Sequence, residues 1–338
     1  MLRTVANTPK DVVSALPGAS THGILAASLC LDTSEDLKTW ARLFPSRADV
    51  RAVMPICWPE AYQALLPAGA RDILKAQKAR FAKDWALFAP RFPSVSSDEY
   101  LYLWLLVNTR TFYYKNAAGA GGKSDENMAL QPIADLFNHL PGDHCEAAFV
   151  PGEGFRFTAN RAYAAGEELY VCYGAHGNDT LLVEYGFSLP GELNAWDEIA
   201  LFDFLAPLFS AKQRILLKEA GFWGRYALDR NSACYRTQTA LRLLCIRPDA
   251  WLDVVAGDRD EDMDREVVDA RWRTELRKIR AEVKAMSIHV DTSRFATFSD
   301  KDVVGATAMR LLSQRWAQIL ELIDLELERL ENPDDDDS

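Results

Sequence analysis

Apolar residues return at threes and fours along the C-terminal stretch of this chain: Met309, Leu312, Trp316, Ile319, Ile323, Leu327 and Leu330. That period is the signature of a helix burying one face. A similar stripe, Leu74, Phe81, Trp85 and Phe88, predicts a helix over 71–88. Shorter helices are expected at Ile24–Leu31 and around Ser34–Leu43, with a Pro-punctuated boundary at 54–67. Ser96 and Glu99 read as a capping box for the next helix. That helix, YLYLWLLVNTRTFYY, is apolar on nearly all sides and is the expected buried helix of its region. The texture then changes. CEAAFV and FRFTANR flank Pro-Gly-Glu-Gly at 151–154 as a hairpin, ELYVCYG follows as a strand, and strands and turns continue to about Pro190. From 191 the pattern is helical again, through KQRILLKEAGF, YRTQTALRLLCI and the stretch 261–286. The expected fold class is α+β and helix-rich.

Composition sets limits. A chain of 338 residues with 49% hydrophobic and 26% charged residues has room for two domains with proper cores. Apolar runs such as Leu101–Val107 are too short to span a bilayer, and the N-terminus has no apolar signal core. The expectation is a protein of the cytoplasm or nucleus without a membrane partner. A net charge of −11 argues against nucleic acid as a direct partner and toward basic protein segments. The six cysteines form no C-x-x-C and no tight cluster, so reduced thiols are expected, with neither zinc nor disulfides. Oligomeric state is not written in the sequence.

The candidate chemistry lies in residues 130–187. An Asp-x-x-Asn-His spans Asp135–His139, Gly-Glu-Glu follows at 166–168, and Tyr-Gly pairs stand at 173–174 and 185–186. Each piece has a plain reading. Asp-x-x-Asn-His is a common turn or helix-end motif, Arg110 can be a helix-end cation, and Tyr173, Tyr185 and Phe187 can be core aromatics of a sheet. Asp135, His139, His144 and Cys145 have no recognised metal spacing. AAGAGGKS at 117–124 imitates a phosphate loop but has Ala117 where the first Gly belongs, and reads as a linker.

Taken in order, LxPxADxxNH, GEExxxxYG and NxxLLxxYGF resemble the C-terminal half of a SET methyltransferase domain. The subclass is the one similar to Rubisco large-subunit lysine methyltransferase, in which a helical insert splits the domain. The resemblance implies a SET-type β-fold over 1–190, with the insert at about 20–115 and the C-terminal half at about 125–190. A helical, substrate-binding-like domain over 191–331 and an acidic tail at 332–338 would follow. It implies S-adenosylmethionine as cofactor, bound by Arg110, Asp135, Asn138, His139 and Tyr173, with Thr109 standing where the family's Ser-Arg motif has Ser. Tyr173 and Tyr185 would be catalytic. Tyr185 and Phe187 would line the substrate channel, Phe187 at a position that influences how many methyl groups are added. The substrate would be a lysine-bearing protein segment.

The chemistry is consistent with those residue types. Lysine, with an unperturbed pKa of about 10.4, is protonated at neutral pH and must be desolvated to attack a methyl group. Tyrosines offer apolar walls and one hydroxyl each to orient the amine. In the family a preceding segment adds strands and a G-x-G turn against the amino-acid end of the cofactor. Before residue 60 this chain has only the isolated Gly18 and Gly23. The sequence therefore leaves three expectations open: a lysine methyltransferase impaired in cofactor binding, a SET-like module that only holds a peptide, or a transferase whose acceptor is histidine.

Overall fold

The protein is described here by a computed structural model covering residues 2–114, 127–150, 153–297 and 303–332. It comprises two units: Met1–Pro59, Asp72–His176 and Thr180–Phe187 form one, and Glu60–Arg71, Gly177–Asp179 and Ser188–Ser338 the other.

The core of the first unit is built on the helix Ser97–Arg110, which buries Tyr100, Leu103, Trp104, Leu105, Leu106 and Val107. It packs against Thr21–Leu31, whose Ala26 and Ala27 are fully covered. Asp84, on the helix Ala68–Phe88, sits buried between them. It accepts from the Ser20 backbone N–H (2.8 Å), the Ser20 hydroxyl (2.6 Å) and Trp104 Nε1 (3.0 Å). A buried carboxylate is tolerated when it is hydrogen-bonded in this way. The capping box expected at Ser96 forms only by half. Ser96 Oγ accepts from Glu99 N–H at 3.1 Å, while the Glu99 carboxylate turns to Arg47.

The helix expected to run on through Tyr114 ends at Arg110. Thr111–Tyr113, a strand-favouring trio, becomes β1 and pairs antiparallel with β2, Met128–Leu130. Arg3 bonds Leu130 from the far side of β2, at 2.9 and 2.8 Å. Asn138–His139, whose plain reading taken alone is a turn or helix end, forms β3. β4 (Glu146–Val150) and β5 (Gly154–Thr158) make the anticipated hairpin, and β6 (Tyr170–Val171) pairs in parallel with β3. A second correction concerns 178–185, expected among strands and turns. It is helical, as Asn178–Thr180 followed by a wide π-turn at Leu181–Tyr185. Short apolar runs such as LLVEY do not distinguish strand from helix by periodicity. The linker read at 117–124 and Pro151–Gly152 of the hairpin lie outside the described residues.

In the second unit the long helices Arg265–Thr297 and Val303–Glu331 pack together. Every residue of the predicted 309–330 stripe is buried. The unit is mainly helical, as expected, but β7 (Glu198–Ala200) and β8 (Ala227–Asp229) add a short antiparallel ladder that the sequence reading did not include. Thr237 Oγ1 ties that ladder to the helix Tyr235–Arg242, accepting from Ala227 N–H at 3.0 Å and donating to Ala227 O at 3.1 Å. Of the tail read at 332–338, only Asn332 lies among the described residues. No described helix is long and apolar enough to cross a membrane. All six cysteines are free, and no group of metal-ligating side chains occurs among the described residues.

Candidate functional site

The parallel pairing of β3 with β6 brings two distant pieces of sequence together, and the site is assembled on it. Leu140 N–H donates to Val171 O at 3.1 Å and Cys145 N–H to Tyr170 O at 2.8 Å, prolonging the two-residue ladder. Tyr173 follows β6 directly. Its N–H donates to His139 Nδ1 at 3.1 Å, and its hydroxyl to Phe137 O at 2.7 Å. Its ring stacks on His139, centroids 5.1 Å apart, and lies 5.2 Å from the ring of Tyr185. Phe187 meets Tyr173 and Tyr185 edge-on at 6.4 and 6.3 Å. Offset and edge-on contacts of this kind are each worth about 0.5–1.5 kcal/mol beyond area burial.

Two glycines make the crowding possible. Gly174 has φ 139° and Gly186 φ 82°. At Gly186 a Cβ would come within 2.7 Å of Val53 Cγ2 and 3.1 Å of Met54 Sδ. Tyr185 is positioned by its neighbour Glu184. That carboxylate accepts from Gln77 Nε2 (2.9 Å), Arg80 (2.6 Å) and Asn108 Nδ2 (2.8 Å). Sequence reasoning missed this anchor entirely, since its members lie far apart along the chain.

Arg110, at the end of its helix, donates to the Asp135 carbonyl at 2.5 Å, with its guanidinium 3.7 Å from the Asp135 carboxylate. Trp40 Nε1, also unforeseen, donates to Asp135 Oδ2 at 3.1 Å. Ile133, just before, takes φ 77°, a strained value for a β-branched residue. Among the described residues, Asp135 Oδ1, Arg110 Nε and His139 Nε2 are buried without a hydrogen-bond partner.

A cavity of about 290 Å³ opens here, lined by Arg110, Asp135, Asn138, Tyr173, Tyr185 and Phe187, with Met54, Val50 and Leu105 as apolar wall. His139 is buried and does not line it. Asn138 is exposed and donates to Glu168 Oε1 at 2.6 Å, while Tyr170 holds the other Glu168 oxygen at 2.9 Å. Glu168 belongs to the Gly-Glu-Glu noted in the sequence, and its partner Asn138 is thirty residues earlier.

Burial dominates the electrostatics. It pushes the Tyr185 phenol up to about 12, reinforced by Glu184, and raises Tyr173 as well. Burial also raises Asp135 despite Arg110, and holds His139 below its ordinary value. The arrangement is a narrow aromatic pocket whose tyrosines stay protonated, beside polar atoms with unused hydrogen-bonding capacity.

Three comparisons bear on this geometry. The SET domain family model matches residues 26–174. "Ribosomal lysine N-methyltransferase set11" of Schizosaccharomyces pombe is 31% identical over 197 residues, covering 58% of this chain and 49% of that protein. "SET domain-containing protein 4" of Mus musculus is 30% identical over 230 residues, 60% and 52% of the two chains. The chain thus spans about half the length of these relatives. Among solved structures, the SET domain of LSMT bound to methyllysine and AdoHcy aligns with a TM-score of 0.52. The alignment covers 98% of this chain and 83% of that one at 15% identity, a likeness of fold.

Proposed function

Since residues 26–174 match the SET domain family model, we propose that the chain is an S-adenosylmethionine-dependent protein-lysine N-methyltransferase. The observation that carries this reading is the meeting of Tyr173, Tyr185 and Phe187 at one cavity, next to buried polar atoms that no protein group satisfies. The names of similar proteins, ribosomal lysine N-methyltransferases of two yeasts among them, support it.

The residues present fit the cofactor. Buried polar atoms without partners cost free energy unless a ligand completes them; Asp135 Oδ1 and Arg110 Nε, on residues that line the cavity, would supply an acceptor and a donor, and His139 Nε2 lies buried behind the ring of Tyr173. Asn138 adds a side-chain amide at the rim. When bound, S-adenosylmethionine supplies an electrophilic methyl group on a sulfonium.

The chain's own work is on the lysine. Rings of Tyr173, Tyr185 and Phe187 strip water from the entering ammonium, which lowers its proton affinity, and the proton leaves to solvent. The Tyr173 hydroxyl is committed as donor to Phe137 O and can offer only acceptor lone pairs. Among the described residues the Tyr185 hydroxyl makes no hydrogen bond, and with its pKa pushed to about 12 it keeps its proton at neutral pH. The pair can therefore orient an amine without charging. Positioning of this kind supplies most of the gain in a direct displacement. Residues 191–331 would dock the protein substrate, in the cytoplasm or nucleus, where six free thiols persist.

The test is transfer of labelled methyl groups from S-adenosylmethionine to lysine-bearing protein, with the modified side chain identified by mass spectrometry. Methyl-lysine that disappears in Tyr185→Phe is the expected result. Methyl-histidine, or cofactor binding without transfer to any protein, would overturn it.

A further inference from the structure

The net charge of −11 hides one strongly basic region. Residues 211–242 carry seven Lys or Arg against two acids, Glu219 and Asp229. Arg230 and Arg242 are spent on ion pairs with Glu321 and Glu261. Lys212, Arg214, Lys218 and Arg225 are exposed and Arg236 half-buried, and none of the five makes an ion pair among the described residues. Arginines elsewhere in the protein are mostly matched with carboxylates, at Asp32, Glu99, Asp98, Glu184, Asp143 and others.

Three of these cations lie on aromatic rings instead. Arg214 and Lys218 stand over Trp223 at 5.9 and 5.7 Å, and Arg236 over Phe222 at 5.6 Å. Phe222 meets Tyr235 edge-on at 6.1 Å, and Tyr235 is 54% exposed. Phe202, 37% exposed, packs edge-on against Trp223 at 5.4 Å. The loop between the helix Ala211–Glu219 and β8 presents this face, with Gly221, Gly224 and Arg225 all at positive φ.

We propose that this face binds a single-stranded nucleic acid. Unpaired cations would track its phosphates, and Tyr235 and the guanidinium groups held over rings would stack with its bases. Charge alone would suit an acidic peptide equally. The interleaved, partly exposed rings favour a polyanion that brings π-faces with its charge, which a run of Asp and Glu lacks. This site does not depend on methyl transfer.

The experiment titrates the whole chain into a fluorescein-labelled 20-nucleotide oligouridylate and reads anisotropy across a salt series. Binding with Kd of about 10⁻⁴–10⁻⁶ M is expected, weakening linearly in log–log with salt. Removing one phosphate contact should reduce that slope by about 0.7. Arg214→Ala with Lys218→Ala tests the cations over Trp223. Lys212→Glu with Arg225→Glu, which leaves the rings covered, keeps the test open if the first pair unfolds, and should weaken binding roughly tenfold or more. Tyr235→Ala should cost about tenfold with the salt slope unchanged. Absence of binding, binding indifferent to these variants, or displacement by polyglutamate as readily as by unlabelled oligonucleotide would each overturn the proposal.

Discussion

Each unit of the molecule contains a buried arginine–carboxylate cluster, and the two are finished differently. In the second unit Arg315 is fully buried and all its nitrogens are used. Nε donates to Asp179 at 2.7 Å, Nη1 to Asp197 at 2.7 Å and Nη2 to Glu198 O at 3.0 Å. Asn178 and Gln318 close the remaining positions around Asp197 and Leu189. Burial alone would lower the Arg315 pKa, and the two aspartates outweigh it and raise it. In the first unit Arg110, Asp135 and His139 each keep a buried atom unpaired. A closed network holds a fold, whereas an open one holds capacity in reserve for something that binds. The same residue types therefore carry opposite functional weight, and only their partners tell which is which.

The sharpest way to break that contrast is Arg315→Met. It strands Asp179 and Asp197 without their counter-charge, and removing one partner of a buried ion pair costs about 3–5 kcal/mol. Urea unfolding should show that loss. Arg110→Met should cost clearly less, because Asp135 already has a raised pKa and can take up a proton. Equal losses would mean that the first cluster is structural too.

The second prediction separates the two tyrosines. Tyr173→Phe deletes the bond to Phe137 O and should cost about 0.5–1.5 kcal/mol of stability. Tyr185→Phe deletes no protein hydrogen bond and should stay within about 0.5 kcal/mol of the parent. Turnover should nonetheless fall on the order of 10²-fold in both, the scale of a misplaced reacting group. If Tyr185→Phe turns over normally, Tyr185 is wall and nothing more.

Much of this was legible in the sequence, and the parts that were not share a cause. Local pattern predicted the stripe from Met309 to Leu330, the hairpin at 146–158 and the two Tyr-Gly turns. The motif order also brought Arg110, Asp135, Asn138, Tyr173, Tyr185 and Phe187 to one cavity. What escaped depends on pairing at long range. That Asn138–His139 is a strand was not visible, because its partner, Tyr170–Val171, is thirty-two residues away. Thr111–Tyr113 read as helix because nothing local announced β2. Trp40 and Glu184 carried no signal of their own. Arg315 did: it falls on the apolar stripe between Leu312 and Ile319, where an unpaired charge would not be tolerated.

The third prediction concerns cofactor affinity. His139→Phe removes the unpaired Nε2 and should weaken S-adenosylmethionine by about 1–3 kcal/mol, the cost of an unsatisfied buried group. Asn138→Ala should cost less, since Asn138 is exposed and its amide already has Glu168. Calorimetric titration that ranks them the other way would place the adenosyl group at the rim and not against His139.

The smallest effect tests the open cluster through pH. Burial holds the folded-state pKa of His139 below 6.5, with His176 and His144 adding to the depression and the Val171 backbone opposing it. Between the folded value and 6.5 the unfolded chain binds more protons than the folded one, so stability rises with pH across that window. It is lost as pH falls from 6.5 toward the folded value, and the loss is complete below it. The Arg315 cluster has no histidine and contributes nothing there. The chain has four other histidines, so the readout is the difference between the parent and His139→Gln in urea midpoints from pH 5 to 7.5. The parent should lose stability toward pH 5 more steeply than the variant. Parallel curves would show that His139 is hydrated and free to charge, and the open cluster would then be an exposed rim with no ligand-binding capacity held in reserve.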